Sequence, residues 1–131
     1  MELIPSEEAE QVALVSYLWK QKGFYYIHSI ENSFHFPVAE LSKITQNQVI
    51  GILSRLKNKR ISMGQINGMP DLFIPSLRLY IEMKKIKGGF VSDDQKKCHS
   101  GLRSQGANIE VAYGFRHALE IIRKYENEKM Y

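Results

Sequence analysis

The stretch GMPDLFIPSLRLYIEMKK, residues 68–85, contains two short apolar runs, DLFIP and RLYIEMK. Runs of this length, bounded by residues that favour turns, are typical of buried β-strands. Charged residues lie at their ends: Asp71 opens the first run, and Glu82 and Lys84 close the second. We therefore predict a β-hairpin with three charged side chains near its open end.

A two-residue turn at Ser76 and Leu77 would determine how the strands pair. Antiparallel pairing places residues at equal distances from the turn opposite each other, so Asp71 faces Glu82. Opposed residues share a sheet face, as do residues two apart on a strand, so Lys84 joins them. The apolar residues are predicted to point to the other face: Leu72, Ile74, Leu79, Ile81 and Met83.

Two opposed carboxylates destabilise a sheet unless a positive charge lies between them. Mg²⁺ prefers oxygen ligands and is usually held by one or two carboxylates, with water and phosphate oxygens completing its octahedron. Such an ion can activate water and stabilise charge on a phosphodiester, while Lys84 orients the water or neutralises the developing charge. The hairpin therefore predicts a Mg²⁺ or Mn²⁺ site on Asp71 and Glu82.

The whole chain has the pattern of an α/β protein with a mixed sheet. The predicted order is α, β, α, β, β, α, β, α within a single domain, residues 1–131. Ser6 is expected to be the N-cap of the first helix and Gly23 its stop. Outside the hairpin, we predict a helix at 6–23, a strand at 24–30, a helix from Thr45, a helix at about 92–105, a strand at 109–113 and a closing helix RHALEIIRKY.

The helix from Thr45 is predicted to have a basic side. Thr45 and Gln48 fit a capping box, and an apolar stripe follows at Val49, Ile52, Leu53 and Leu56. A basic side can contact DNA phosphates or simply be solvated, and the sequence leaves both interpretations open. Its members are Arg55, Lys57, Lys59 and Arg60.

Composition limits the classes of function. The 131 residues are 44% hydrophobic and 24% charged, as in ordinary globular proteins, and the net charge of +4 favours an acidic partner only weakly. Cys98 is the only cysteine, so an intrachain disulfide and a Cys-rich zinc site are both excluded. The start MELIPSEEAE is unlike a signal peptide, and no apolar run approaches the roughly 20 residues of a membrane span, so we expect a cytoplasmic protein.

The extended motif resembles the VRR-NUC family of the PD-(D/E)xK nuclease superfamily. From about Gly64 to Tyr125 the chain has Gly-x-Pro-Asp-Leu, a strand ending in Glu-x-Lys, a glycine linker, Ser-x-x-Gln opening a helix, then Gly, a strand and a helix containing HALEII. The helix SEEAEQVALVSYL resembles the family's first helix. The resemblance implies a restriction-endonuclease-like α/β core, with a mixed β-sheet flanked by helices.

The resemblance also implies roles for individual residues. Asp71 and Glu82 would bind the metal, the backbone carbonyl of Met83 would add a ligand, and Lys84 would be the catalytic lysine. Gln95 matches a glutamine on the helix that faces the site. It also fits a capping box opened by Ser92, and the two roles are compatible.

The family's first helix supplies a further metal-site carboxylate. Glu7 is the preferred candidate because it lies on the helical face whose apolar members must point inward, the face of Gln11, Leu14 and Leu18. Glu8 and Glu10 stay possible because the sequence defines the register of this helix poorly.

The four histidines lack a metal-binding spacing such as His-x-x-x-His. His28 is a candidate DNA contact, because the family has a histidine on the strand and loop after the first helix. We expect His35, His99 and His117 to lie on the surface or to serve packing.

The resemblance implies a metal-dependent DNA endonuclease, of the stand-alone kind found in phages, acting in the cytoplasm of a bacterium or an infected host. Its small size favours selectivity for DNA structure, as in Holliday-junction resolvases acting as homodimers on branched DNA. The expected interface contains Phe34, Phe36, Val38 and Leu41, and packing of this loop on the protein's own core is the open alternative. Two alternatives stay open: a sequence-specific restriction-type endonuclease, and a non-catalytic DNA-binding module.

Overall fold

The computed structural model describes residues 3–21, 26–30 and 38–129. The chain divides into two compact units, one formed by Met1–Ile30 with Gly68–Tyr131 and the other by Glu31–Asn67. Within the described ranges, no helix has the length and apolar character needed to cross a membrane. The prediction of a single domain over residues 1–131 stays a prediction.

The order of elements predicted from the sequence is confirmed. The described part of the larger unit contains a four-stranded sheet and three α-helices, and that of the smaller unit contains one long α-helix, which follows the first strand and precedes the second in chain order. In chain order, the α-helices and strands are α1 (Glu7–Gln21), β1 (His28–Ser29), α2 (Lys43–Ser62), β2 (Leu72–Ile74), β3 (Leu79–Lys84), α3 (Asp93–Ser104), β4 (Asn108–Tyr113) and α4 (Phe115–Lys129). Short 3-10 helices lie at Val38–Glu40 and Pro75–Leu77.

The sheet has the order β1-β2-β3-β4 and is mixed, as predicted. β2 pairs antiparallel with β1 and β3, whereas β3 and β4 are parallel. The Arg78 amide donates to the Pro75 carbonyl at 3.1 Å and closes a turn around Ser76 and Leu77. The pairing Leu72 with Ile81 and Ile74 with Leu79 confirms the predicted hairpin register.

The hairpin's apolar face forms the core together with α1 and α4. The residues predicted to point to this face are all buried, and they contact inward side chains of both helices. Burial removes this face from water, so the opposite face is the one left for polar groups. The core includes Leu14, Leu18, Leu72, Ile74, Leu79, Ile81, Met83, Ala112, Ala118, Leu119 and Ile122.

Side-chain caps begin two of the helices. The Ser6 hydroxyl accepts a hydrogen bond from the Ala9 amide at 3.1 Å, which confirms the predicted N-cap of α1. Ser92 and Gln95 form the reciprocal bonds of a capping box at the start of α3, also as predicted. The predicted stop at Gly23 lies outside the described residues.

Two predictions about local structure are wrong in detail. β1 contains only His28 and Ser29, because Tyr26 has a left-handed φ of 55° that an extended strand cannot contain. In the smaller unit, α2 begins at Lys43, and the Ser42 hydroxyl accepts from the Thr45 amide at 3.3 Å. The capping box predicted at Thr45 and Gln48 is therefore replaced by an N-cap one turn earlier.

The apolar stripe predicted on α2 is present but is not buried. In the described part of the chain, no α2 side chain reaches full burial, and the stripe residues are half-buried or exposed.

Candidate active site at the end of the central strands

Asp71 and Glu82 face each other at the open end of the hairpin. They are the next pair after Leu72 and Ile81 in the observed register, so they share the face opposite the apolar core. The Asp71 Oδ2 atom accepts a hydrogen bond from the Met83 amide at 2.8 Å, which holds this carboxylate against the end of β3. The structure thus brings the two predicted carboxylates together.

Glu82 is almost completely buried, with 1% of its surface exposed. Burial, a side-chain hydrogen bond with Asp71 and the charges of Asp71 and Glu7 raise the pKa of Glu82 to about 9, against an opposing effect of Lys84. Without a cation, the Glu82 carboxyl group is therefore protonated at neutral pH. A carboxyl group that ionises only beside a positive charge is suited to binding a metal ion.

The backbone at Met83 is suited to provide a further oxygen. The Lys84 carbonyl accepts from the Gly114 amide on the β4 side, so alternation directs the Met83 carbonyl toward the β2 side. In the hairpin register the residue opposite Met83 is Pro70, which has no N–H to donate. The ladder therefore leaves this carbonyl available beside Asp71, which supports the ligand role implied by the resemblance.

Lys84 is held by Gln95 on the same face of the sheet. Its side chain is buried, and its Nζ atom donates to the Gln95 Oε1 atom at 3.0 Å. The same oxygen accepts from the Ser92 amide at 3.0 Å, so Gln95 caps α3 and orients Lys84 together. The capping role is confirmed, and the catalytic role of Gln95 stays a prediction.

A close approach of backbone to backbone sets the distance between the hairpin and α3. Gly68 precedes the hairpin with a φ of +84°, and a Cβ atom there would lie 2.5 Å from the Asp94 carbonyl oxygen. Only glycine tolerates both the positive φ and this contact. Gly68 thus lets the segment leading to Asp71 lie against the first turn of α3, near Gln95.

The structure separates the three candidate acids of α1. Glu10 is buried, and its Oε2 atom accepts from the Phe115 amide at 2.6 Å, so it caps the start of α4. Glu8 lines a cleft of about 660 Å³ together with Asp71 and His28. Glu7 lines that cleft and also a second one, of about 380 Å³, that contains Lys84. This placement supports Glu7 as the first-helix acid.

His99 is a site neighbour that the sequence reasoning missed. It is a buried residue of α3, as expected for a packing histidine, but its Nε2 atom lies 3.3 Å from the Glu82 Oε1 atom. Burial and the charges of Arg103 and Lys84 lower the pKa of His99, against an opposing effect of Asp71, which favours the neutral ring. The one sequence signal that could have predicted this contact is spacing. Gln95 and His99 are one helical turn apart, so a helix that points Gln95 toward the sheet points His99 there as well.

The donor set fits a hard divalent cation. The buried Glu82 Oε1 and His99 Nε2 atoms lie 3.3 Å apart, and neither makes a hydrogen bond in the described part of the chain, so a cation bound to Glu82 Oε1 would satisfy that oxygen. Among residues 3–21, 26–30 and 38–129, no group of three His, Cys, Asp or Glu side chains is arranged to hold a metal. Two carboxylates and a backbone carbonyl match Mg²⁺, which completes its shell with water and substrate oxygens.

Of the remaining predicted residues, His28 lines the cleft that contains Asp71, and the others that the structure describes do not. His28 is exposed on β1, where its ring packs edge-on against Phe73 with the ring centroids 5.7 Å apart. His117 is half-buried on α4 and its Nδ1 atom accepts from the Tyr113 amide, whereas His35 lies outside the described residues. The predicted basic side belongs to α2 in the smaller unit: Arg55, Lys57, Lys59 and Arg60.

We expect the metal-free protein to lose stability as pH rises from about 5 to 9. Unfolded Glu82 would titrate near its ordinary pKa of about 4.3, whereas in the folded protein its pKa is raised to about 9. The native state therefore binds more protons over this range, and the free energy of unfolding falls as the pH rises. Urea denaturation in EDTA at several pH values measures this slope.

Glu82→Gln is the control for this pH dependence, because its amide cannot titrate. The difference between wild type and this variant isolates Glu82 from the other titrating groups. Equal slopes for the two proteins would contradict the raised pKa.

No family model, curated protein or solved structure matches this chain.

Proposed function

We propose that this protein is a metal-dependent DNA endonuclease with the active site of the PD-(D/E)xK superfamily, in its VRR-NUC branch. The observation that carries the proposal is the convergence of Asp71, Glu82 and Lys84 on one sheet face, with a buried carboxyl whose pKa is raised. If charged residues at the strand ends served only solubility, they would be exposed, and a carboxyl group among them would not have a strongly raised pKa.

Each residue has a separate part in the proposed hydrolysis. Asp71, Glu82 and the Met83 carbonyl would hold Mg²⁺ or Mn²⁺, and Glu7 would complete the acidic side of the site. The bound ion would supply Lewis-acid chemistry and lower the pKa of a bound water. Lys84, oriented by Gln95, would neutralise charge at the reacting phosphate.

We further propose branched DNA as the substrate and a homodimer as the active form. Resolution of a four-way junction takes two cuts, and each chain contributes one Asp71–Glu82–Lys84 site, so a two-fold dimer would match the junction. Of the expected interface residues, Val38 and Leu41 are half-buried, and Phe34 and Phe36 lie outside the described residues.

Cleavage assays on linear, single-stranded, flapped and four-way DNAs, with Mg²⁺ or Mn²⁺, test these proposals. Cleavage that needs the metal and favours branched DNA, by a protein that scatters light as a dimer, supports both. Metal-dependent cutting of linear duplex at one sequence would favour the restriction-type alternative. DNA binding without cleavage of any substrate would favour the non-catalytic module.

We expect Arg55→Ala and Lys59→Ala to weaken DNA binding and flatten its salt dependence. Both side chains are exposed on α2, and each true phosphate contact contributes up to about one unit to the slope of log K against log salt. Fluorescence anisotropy across a salt series measures the slope. Lys124→Ala is the matched control, because Lys124 is also exposed but lies toward the end of α4 where Lys129 bonds to Ser76 in the hairpin turn. The candidate site is at the opposite, open end of the hairpin. An unchanged slope in the α2 variants would identify a merely solvated face.

A further inference from the structure

Phe90 is a large apolar side chain that is mostly exposed to solvent. It lies in the link between β3 and α3, and 77% of its surface is exposed. A single exposed aromatic residue is common on protein surfaces, so exposure alone carries no argument. Phe90, however, lines the same cleft as Lys84 and Gln95. The aromatic ring and the proposed catalytic lysine therefore face one space.

The cleft combines the chemical groups that bind a single nucleic-acid strand. It has a volume of about 380 Å³, and the exposed Lys85 lines it beside Lys84 and Phe90. Glu7 is the acidic residue of this lining, so two cations stand against one carboxylate. Proteins that bind single strands use cations along the phosphate backbone and aromatic faces for the bases. The cations complement a phosphate, and the ring of Phe90 supplies the apolar face that a base would require.

The link that carries Phe90 is held against the site at both ends. A Cβ atom on Gly89 would come within 3.0 Å of the Lys84 Cβ atom, so the backbone before Phe90 lies directly on the end of β3. After Phe90, the Ser92 amide donates to the Gln95 Oε1 atom, the same atom that holds Lys84. The backbone on both sides of Phe90 is thus held near the lysine.

We propose that Phe90 is a stacking platform for one unpaired DNA base, adjacent to the phosphate at Lys84. The inference rests on the proposed nuclease function and deepens it by naming the substrate feature that the site reads. A base inside an intact duplex is stacked on both sides and cannot offer a face, whereas bases at flaps, junctions and single strands can. Phe90 therefore gives this site its preference for distorted or branched DNA.

A double-mutant cycle between protein and DNA tests the platform without requiring cleavage. The probe is a single strand of roughly 12 nucleotides, in which an abasic residue is moved one position at a time, and binding is measured in EDTA. At one position, the missing base should weaken wild-type binding by about 10- to 100-fold, the usual effect of losing one stacked base. We call this loss of affinity the abasic penalty. It should disappear in Phe90→Ala and persist in Phe90→Trp.

Two control variants separate stacking from other effects. Lys85→Ala should weaken binding of intact and abasic strands equally, because a phosphate contact is indifferent to the base. Leu3→Ala removes an exposed apolar side chain that is not part of the cleft lining, and should change neither. Thermal melts of Phe90→Ala and Phe90→Trp verify that both variants are folded.

The outcomes distinguish this inference from the proposed function. An abasic penalty of equal size in wild type and Phe90→Ala, or no penalty at any position, overturns the platform even if the protein cuts DNA. A penalty that disappears only in Phe90→Ala sustains the platform even if no DNA is cut, and metal-dependent hydrolysis is then the proposal that fails. If Phe90→Ala loses self-association but binds DNA as wild type does, the platform is overturned, and Phe90 is instead a contact between copies of the chain.

Discussion

Asp71→Asn and Glu82→Gln are each expected to reduce DNA cleavage by about 10³-fold or more while leaving the protein folded. Each change removes one of two carboxylates that would hold the cation, and metal-bound water and Lewis-acid stabilisation contribute several kcal/mol to such reactions. Both replacements keep the side-chain shape. Asparagine also retains an oxygen that can accept from the Met83 amide, which alanine would leave unpaired.

Thermal melts with and without Mg²⁺ provide the second measurement. Wild type should gain stability from the metal, because the folded protein would bind the ion and the unfolded chain would not. Glu82→Gln should gain little, and without metal it should be at least as stable as wild type at pH 8, since it no longer buries an ionisable carboxyl. Normal cleavage by both variants, together with a wild type that metal does not stabilise, would show that the site is misassigned.

Lys84→Met is expected to lower turnover by about 10²- to 10³-fold while changing DNA affinity by less than about threefold. Lys84 is buried and bound to Gln95, so it can contribute little to the general attraction for the DNA backbone, yet it is the cation aimed at the reacting phosphate. Single-turnover cleavage at saturating DNA measures the rate. The metal must also be saturating, because loss of the lysine removes the charge that favours ionised Glu82.

Lys85→Ala is the matched control for this variant. It removes the neighbouring cation of the same cleft, which is exposed, so it should weaken DNA binding and leave the cleavage rate of bound DNA within about twofold. A Lys84→Met variant that cuts bound DNA at the wild-type rate would remove the lysine from the proposed mechanism.

Much of the hairpin could be predicted because its determinants are local. The turn at Ser76 and Leu77 and the alternation of apolar residues specify the register, and a slip of one residue would expose the whole apolar face. The caps at Ser6 and Ser92 were predictable for a similar reason, since each depends on a residue three positions away. At Thr45 the same local rule failed, because Ser42 offered an equivalent cap one turn earlier.

The sequence by itself therefore determined which carboxylates oppose each other and which lysine shares their face. Only the tertiary structure decided how the helices complete the site: Glu10 bonds to the start of α4, Glu7 faces both clefts, and His99 lies beside Glu82. The physical reason is that these contacts depend on how far each helix is rotated and shifted against the sheet. Side-chain packing across the whole core sets that placement, and no short stretch of sequence contains it.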